Sequence, residues 1–178
     1  MTDQFRTLIA RALPSPERVQ ESLRQLSPLE LQAAADFFSV TLPEFDVAVA
    51  LPGAQGLAQA AAELRGAFLV TAGRTAAGRW ELFAPDLAGI TRELGAGRRP
   101  ARAALFTPQL KSGLKELEVL LTVARPGWLV PALAAGVART DALGRARLEL
   151  QGVRVVTPVM LADTPTGLVF ERRYPHSA

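Results

Sequence analysis

The sequence predicts an α+β fold. A helical arm of two to three helices spans residues 1–43, and a mixed, largely antiparallel sheet spans 44–178. Three observations lead there. Apolar residues recur at helical spacing through the first forty positions. The period shortens to two near residue 45. The pattern "FDVAVALPG" at 45–53 then returns as "LEVLLTVARPG" at 117–127, which suggests two tandem β-α-β-β units over 45–110 and 117–178.

In the arm, Phe5, Leu8, Ile9, Ala12 and Leu13 lie on one helical face. Ser15 and Pro16 form a capped start for a second helix, continued by Val19, Leu23 and Leu26. Ser27 and Glu30 have the spacing of a capping box, opening a third helix along Leu29, Ala33, Phe37 and Val40. Residues 1–50 hold four Arg against seven acids. That balance disfavours a DNA-reading helix-turn-helix, whose helix must approach phosphates.

In the first unit, the valine-rich alternation over 45–51 predicts a strand. "PGAQGLAQAAAELRG" predicts a helix with Gly66 as its left-handed stop. "AFLVTAG" and "GRWELFA" predict a hairpin around "RTAA", and Asp86 a cap for a short helix. "GAGRRPAR" is a loop, and 103–106 a short strand. In the second unit, "LEVLLTVARPG" takes the place of the first strand and "WLVPALAAG" that of the helix. "VARTDALGRARLEL" takes that of the hairpin. Its Gly144 is read as a turn glycine and not as part of a phosphate loop, because strand-like residues follow it. "VRVVTPVML" and "GLVFERRY" complete the sheet.

The bulk numbers narrow the class. The 178 residues are 49% hydrophobic and 21% charged, typical of a globular domain. Eighteen of the twenty basic residues are arginine, as a GC-rich coding sequence would give. Their distribution says more than the net charge of +3, because residues 51–178 carry sixteen basic residues against ten acids. An acidic partner would meet that part. Arg125, Pro126 and Pro131 interrupt the longest apolar window, and the start lacks a basic head before an apolar run. The expectation is a cytoplasmic chain that engages no membrane. With no cysteine, disulfides and thiolate metal sites are excluded.

Candidate chemistry is sparse. "SGLK" at 112–115 has the spacing of an acyl-enzyme Ser and Lys, but S-D-N and K-T-G companions are absent. His176, the single histidine, lies three residues from the end. The pairs Glu44/Asp46 and Glu116/Glu118 have period-two spacing and read as solvated strand ends. "PGAQG" lacks the Lys-Ser/Thr of a phosphate loop. No catalytic residue, metal or cofactor is expected.

The functional expectation is therefore a non-catalytic binding or scaffold protein, acting through protein–protein contacts and self-associating. Phe37, Phe38, Val40 and Leu42 would form its interface. The alternative is binding of DNA or RNA by arginine-rich hairpin loops. Arg74, Arg79, Arg98, Arg99, Arg102, Arg145, Arg147, Arg172 and Arg173 would grip phosphate, and Trp80 would stack.

Overall fold

The structure, a computed structural model, describes residues 3–97 and 99–171. In chain order the elements are α1 (Asp3–Ala12), α2 (Pro16–Arg24), α3 (Pro28–Thr41), β1 (Val47–Ala50) and α4 (Gln55–Arg65). β2 (Phe68–Arg74), β3 (Trp80–Phe83), α5 (Leu87–Gly95), β4 (Arg102–Leu110) and α6 (Leu114–Val123) follow. β5 (Leu129–Arg139), α7 (Gly144–Leu150), β6 (Arg154–Val156), β7 (Val159–Thr164) and β8 (Gly167–Phe170) complete the fold.

The strands form one sheet in the order β3-β2-β1-β4-β5-β7-β8, with β6 also on β5. Among the described residues, five strand pairings are parallel and two antiparallel. The antiparallel pairs, β2/β3 and β7/β8, are the outer ones. This corrects the expected α+β class. The molecule is an α/β sandwich of helix, mostly parallel sheet and helix. Successive residues of a central strand feed opposite cores. Ala48 and Ala50 pack with Phe5, Phe38 and Leu57 of the helices on one face. Val47 and Val49 pack with Val119, Val123 and Leu148 on the other. The N-terminal helices form as expected, with both serine caps in place and a complete capping box at Ser27. They are not a separate arm, because Phe5, Ile9, Val19, Leu23 and Phe38 are buried in the core of the first face.

The tandem units fail for a physical reason. The strand expected within 117–127 is instead largely α6 (Leu114–Val123), and the buried positions of this helix are Glu116, Val119, Thr122 and Val123. These are spaced three, three and one apart, which is a helical face. Two of the four are polar, so the apolar pattern does not display the period. "WLVPALAAG", expected as a helix, lies mostly in β5. Its alanines are good helix formers, yet β5 lies between β4 and β7 and needs small side chains. A Cβ on Gly136 would stand 2.8 Å from the Pro108 carbonyl oxygen. Pro131 falls where the β4/β5 register slips by one residue, a bulge that leaves its missing N–H without consequence. The expected hairpin after Arg139 is replaced by α7.

Outside the center, α4 ends at Gly66 in the left-handed conformation, as expected. Arg65 donates to the Ser39 and Leu42 carbonyls and lies 5.7 Å from the Phe45 ring, fastening α4 to the end of α3. Among the described residues, no helix is long and apolar enough to cross a membrane.

β5 and β7 are also joined by an ion pair between Arg139 and Asp163. The Arg139 guanidinium first, then a hydrogen bond with Asp141, hold the Asp163 carboxyl below its ordinary 3.8. A depressed carboxylate contributes its stability above the unfolded value and loses it as pH falls through the folded value. Urea midpoints measured from about pH 5 down to about pH 2 should therefore fall more steeply for the wild-type chain than for Asp163→Asn. Parallel curves would remove the pair from the stability of this edge.

Candidate functional site

A cleft of about 650 Å³ opens at the carboxyl ends of the parallel strands. Its place follows from connectivity. β1 is flanked by β2 on one side and β4 on the other. The chain leaving β1 turns one way, and the chain leaving β4 turns the other. A crevice forms between diverging connections in open parallel sheets, and ligands bind there.

Three segments build the cleft. The loop after β1 contributes Pro52 and Gly53, the latter at φ 85 and feeding into α4. The end of β4 and the following loop contribute Pro108, Gln109, Lys111 and Ser112, and the first turn of α6 contributes Leu114, Lys115 and Glu116. From above, α2 adds Gln20, Leu23 and Arg24. Neither α4 nor α6 has a side-chain cap, since their N-cap residues are Ala54 and Gly113. First-turn N–H groups have no intrahelical partner and carry the positive end of the helix dipole. The first turn of α6 lines the cleft, while α4 begins two residues beyond Gly53 of its wall.

Four cations line the cleft (Arg24, Arg74, Lys111 and Lys115) against two carboxylates, Glu116 and Glu118. Both carboxylates are engaged. Glu116 is 1% exposed and accepts a 2.9 Å hydrogen bond from the Thr107 hydroxyl, with Lys115 Nζ at 3.6 Å. Glu118 Oε2 accepts from Arg74 and from the Trp80 indole, each at 2.6 Å, and Arg74 lies 5.2 Å from the Trp80 ring. Lys111 stands near other acids outside the cleft. It contributes to lowering the carboxyl of Glu17, behind that residue's own backbone hydrogen bond and the Ser15 hydroxyl. Gln109 lines the cleft, is 8% exposed, and its buried Nε2 has no hydrogen-bond partner.

The stretch around Gly144 braces this wall. Gly113 and Gly144 touch backbone to backbone, so that a Cβ on Gly113 would meet the Gly144 Cα at 3.0 Å. A Cβ on Gly144 would overlap the Lys111 carbonyl oxygen. Arg147 donates to the Ser112 carbonyl at 2.7 Å. The expected turn glycine is thus a close-approach glycine at the start of α7. Arg145, expected to face outward beside Arg147 on a strand, instead bonds Glu149 one helical turn on, at 2.8 Å.

The structure does not gather the expected phosphate-gripping arginines. Arg74 lines the cleft, and Trp80 joins it only through Glu118. Arg79 sits beyond the hairpin turn. Arg99 bonds Asp46 at 3.3 Å, and Arg102 begins β4, so both lie at the opposite end of the strands. Arg98, Arg172 and Arg173 lie outside the described residues, as does His176. Of the expected interface residues, Phe38 and Leu42 are buried in the core, Phe37 packs partly against it, and Val40 is 80% exposed. Sequence reasoning missed Arg24, Gln109, Lys111 and Lys115. The available signal was a pair of glycines, Gly53 and Gly113, each just ahead of a helix, within the "PGAQG" and "SGLK" segments set aside above.

No family model matches the chain. No curated protein matches it in sequence. Solved structures do match in shape. Adenine phosphoribosyltransferase from Rhodothermus marinus superposes with a TM-score of 0.60 at 17% identity, over 89% of this chain and 99% of that one. The Saccharomyces cerevisiae adenine phosphoribosyltransferase, complexed with an imino-altritol 1,6-bisphosphate and adenine, gives 0.57 at 12% identity, over 87% and 98%. UMP synthase from Leishmania donovani gives 0.59 at 20% identity over 78% of this chain, which spans only 29% of that protein. The shared property is the fold, a mostly parallel α/β sheet found in phosphoribosyltransferases. It stands against the expectation of a non-catalytic scaffold, since the solved neighbours of this fold carry the names of enzymes.

Gly144→Ala should destabilise the protein by about 2–3 kcal/mol in urea unfolding, because the new methyl must displace the backbone at Lys111. Gly78→Ala is the control. It has the positive φ that Gly144 lacks but no atom within 4 Å of the added carbon, and should cost only about 1–2 kcal/mol. Equal losses would remove the close approach as the reason for Gly144.

Proposed function

We propose that the protein binds a phosphorylated ribose in this cleft and acts in phosphoribosyl transfer to a nitrogenous acceptor. One observation supports it most. The N-terminus of α6, which has no side-chain cap, meets four cations and two already engaged carboxylates at the strand-order switch point. Helix N-termini and basic side chains together favour phosphate. The choice of ribose rests on the fold, whose solved neighbours are named for phosphoribosyl transfer and include a complex with a sugar-like bisphosphate and adenine.

In such a transfer, a nitrogen lone pair of the acceptor forms a bond to the sugar C1. The C1–oxygen bond breaks, its electron pair leaves with an anionic group, and the acceptor's proton passes to solvent. The cleft supplies what this demands electrostatically. Lys111 and Lys115 flank the first turn of α6, where anionic oxygens would lie, and Arg74 stands across from them, held by Glu118. Preorganised positive groups favour developing negative charge without having to move. Arg24 and Gln20 on α2 overhang the opening and would meet the acceptor side.

Calorimetric titration should show ribose 5-phosphate binding and free ribose not binding, with affinity falling as salt rises. The double variant Lys111→Ala/Lys115→Ala should bind at least about tenfold more weakly, since a hydrogen bond to a charged group contributes about 1.5–3 kcal/mol. Mixing the chain with adenine and a phosphoribose activated at C1 should yield a nucleotide, detected by chromatography. Ribose binding as well as its 5-phosphate would sink the phosphate reading. Tight binding with no product would sink the transfer step.

A further inference from the structure

Building on the proposed function, we infer that Gln109 is a specificity residue, its side-chain amide donating to a phosphate oxygen of the bound ligand. Gln109 lies near the end of β4, opposite Val137 of β5, and lines the cleft while only 8% exposed. Its Nε2 is buried and has no partner. Buried amide donors are almost always satisfied, so one left open at the wall of a cleft points to an acceptor that arrives from outside. Among the described residues no protein acceptor meets it, and the buried Glu116 of the same cleft bonds the Thr107 hydroxyl instead. The acceptor's chemistry follows from the neighbours. Lys111 is two residues further along, and the uncapped N-terminus of α6 closes the same loop. A group drawn to those positive features presents anionic oxygens, which accept from an amide.

Two substitutions and two measurements test this on the full chain. Gln109→Leu keeps the bulk and removes the donor. Gln109→Glu keeps the shape and places negative charge where the donor stood. Melting temperatures of the free variants are measured first, then affinities for inorganic phosphate and ribose 5-phosphate. Gln109→Leu should melt no lower than wild type, because it removes an unsatisfied group, yet bind both probes at least about tenfold more weakly. Gln109→Glu should lose more, at least about a hundredfold at pH 7. If Gln109→Leu melts lower and loses affinity only in proportion, the residue is structural and the assignment falls. If Gln109→Glu keeps the affinity, the amide faces a neutral hydroxyl that a carboxylate can also accept from, and the phosphate assignment falls. Unchanged binding in Gln109→Leu overturns the assignment alone. Failure of the wild-type chain to bind either probe overturns it together with the proposed function.

Discussion

Val47–Ala50 has no solvent-facing side. β2 and β4 bond to it in parallel along both edges, and helices cover both faces. A strand placed this way tolerates only apolar residues, and its four are Val, Ala, Val and Ala. Two consequences follow from so short and so buried a strand. The chain must leave it at once through the Leu51–Ala54 loop, and the next parallel strand can be reached only by a crossover, which α4 provides. Because β4 pairs with the other edge, its own connection departs the opposite way. The cleft is the gap left between those two departures.

Within that gap, position depends on backbone contact more than on side chains. Gly53 passes close to Pro108, and Gly113 lies against Gly144. These approaches bring the start of α6 and the end of β4 up against the β1–α4 loop. A side chain at Gly113 or Gly144 would push the segments apart, whereas at Gly53 the positive φ is the constraint. Arg147 adds a bond to the Ser112 carbonyl, so α7 acts as a buttress for the Lys111–Gly113 loop and not as a part of the site itself.

Much of the local structure was legible in the sequence, because it depends on neighbours along the chain. The serine caps, the Gly66 stop, the β2/β3 hairpin and the Asp86 cap all lie where short-range patterns place them. The sheet's direction was not legible. Parallel pairing leaves no alternation in strands buried on both faces, and an alanine-rich strand such as β5 resembles a helix. In α6 the reverse occurred. Glu116 occupies a buried position where it meets Thr107 across the cleft wall, and the Thr122 hydroxyl bonds back to the Glu118 carbonyl, reasons no periodicity can reveal. The site was hidden for the same cause. Lys111, Lys115 and Gln109 are ordinary in sequence and become a set only when β4 and α6 are placed beside the β1–α4 loop.

The cleft's cations differ in how firmly they are held, and this bears on what each can do. Arg74 is tied to Glu118, which the Trp80 indole also grips, so its guanidinium has few alternatives. Lys115 lies beside a carboxylate that is buried and bonded to Thr107. A cation fixed before a ligand arrives loses little side-chain entropy on binding, whereas a free lysine surrenders much of its rotamer freedom. The carboxylates also offset part of the positive charge, so the contact that orders Arg74 weakens its pull, and Glu116 does the same to the more loosely held Lys115. Lys111 is placed otherwise. Among the described residues no carboxylate lies at ion-pair distance from it, and Glu17 and Asp163, which feel its charge least among their influences, lie outside the cleft lining. Under the proposed function the ligand would therefore have to order it. A site built this way divides the work. Under the proposed function Arg74 would set orientation, while Lys111 and Lys115 would supply attraction that salt can screen.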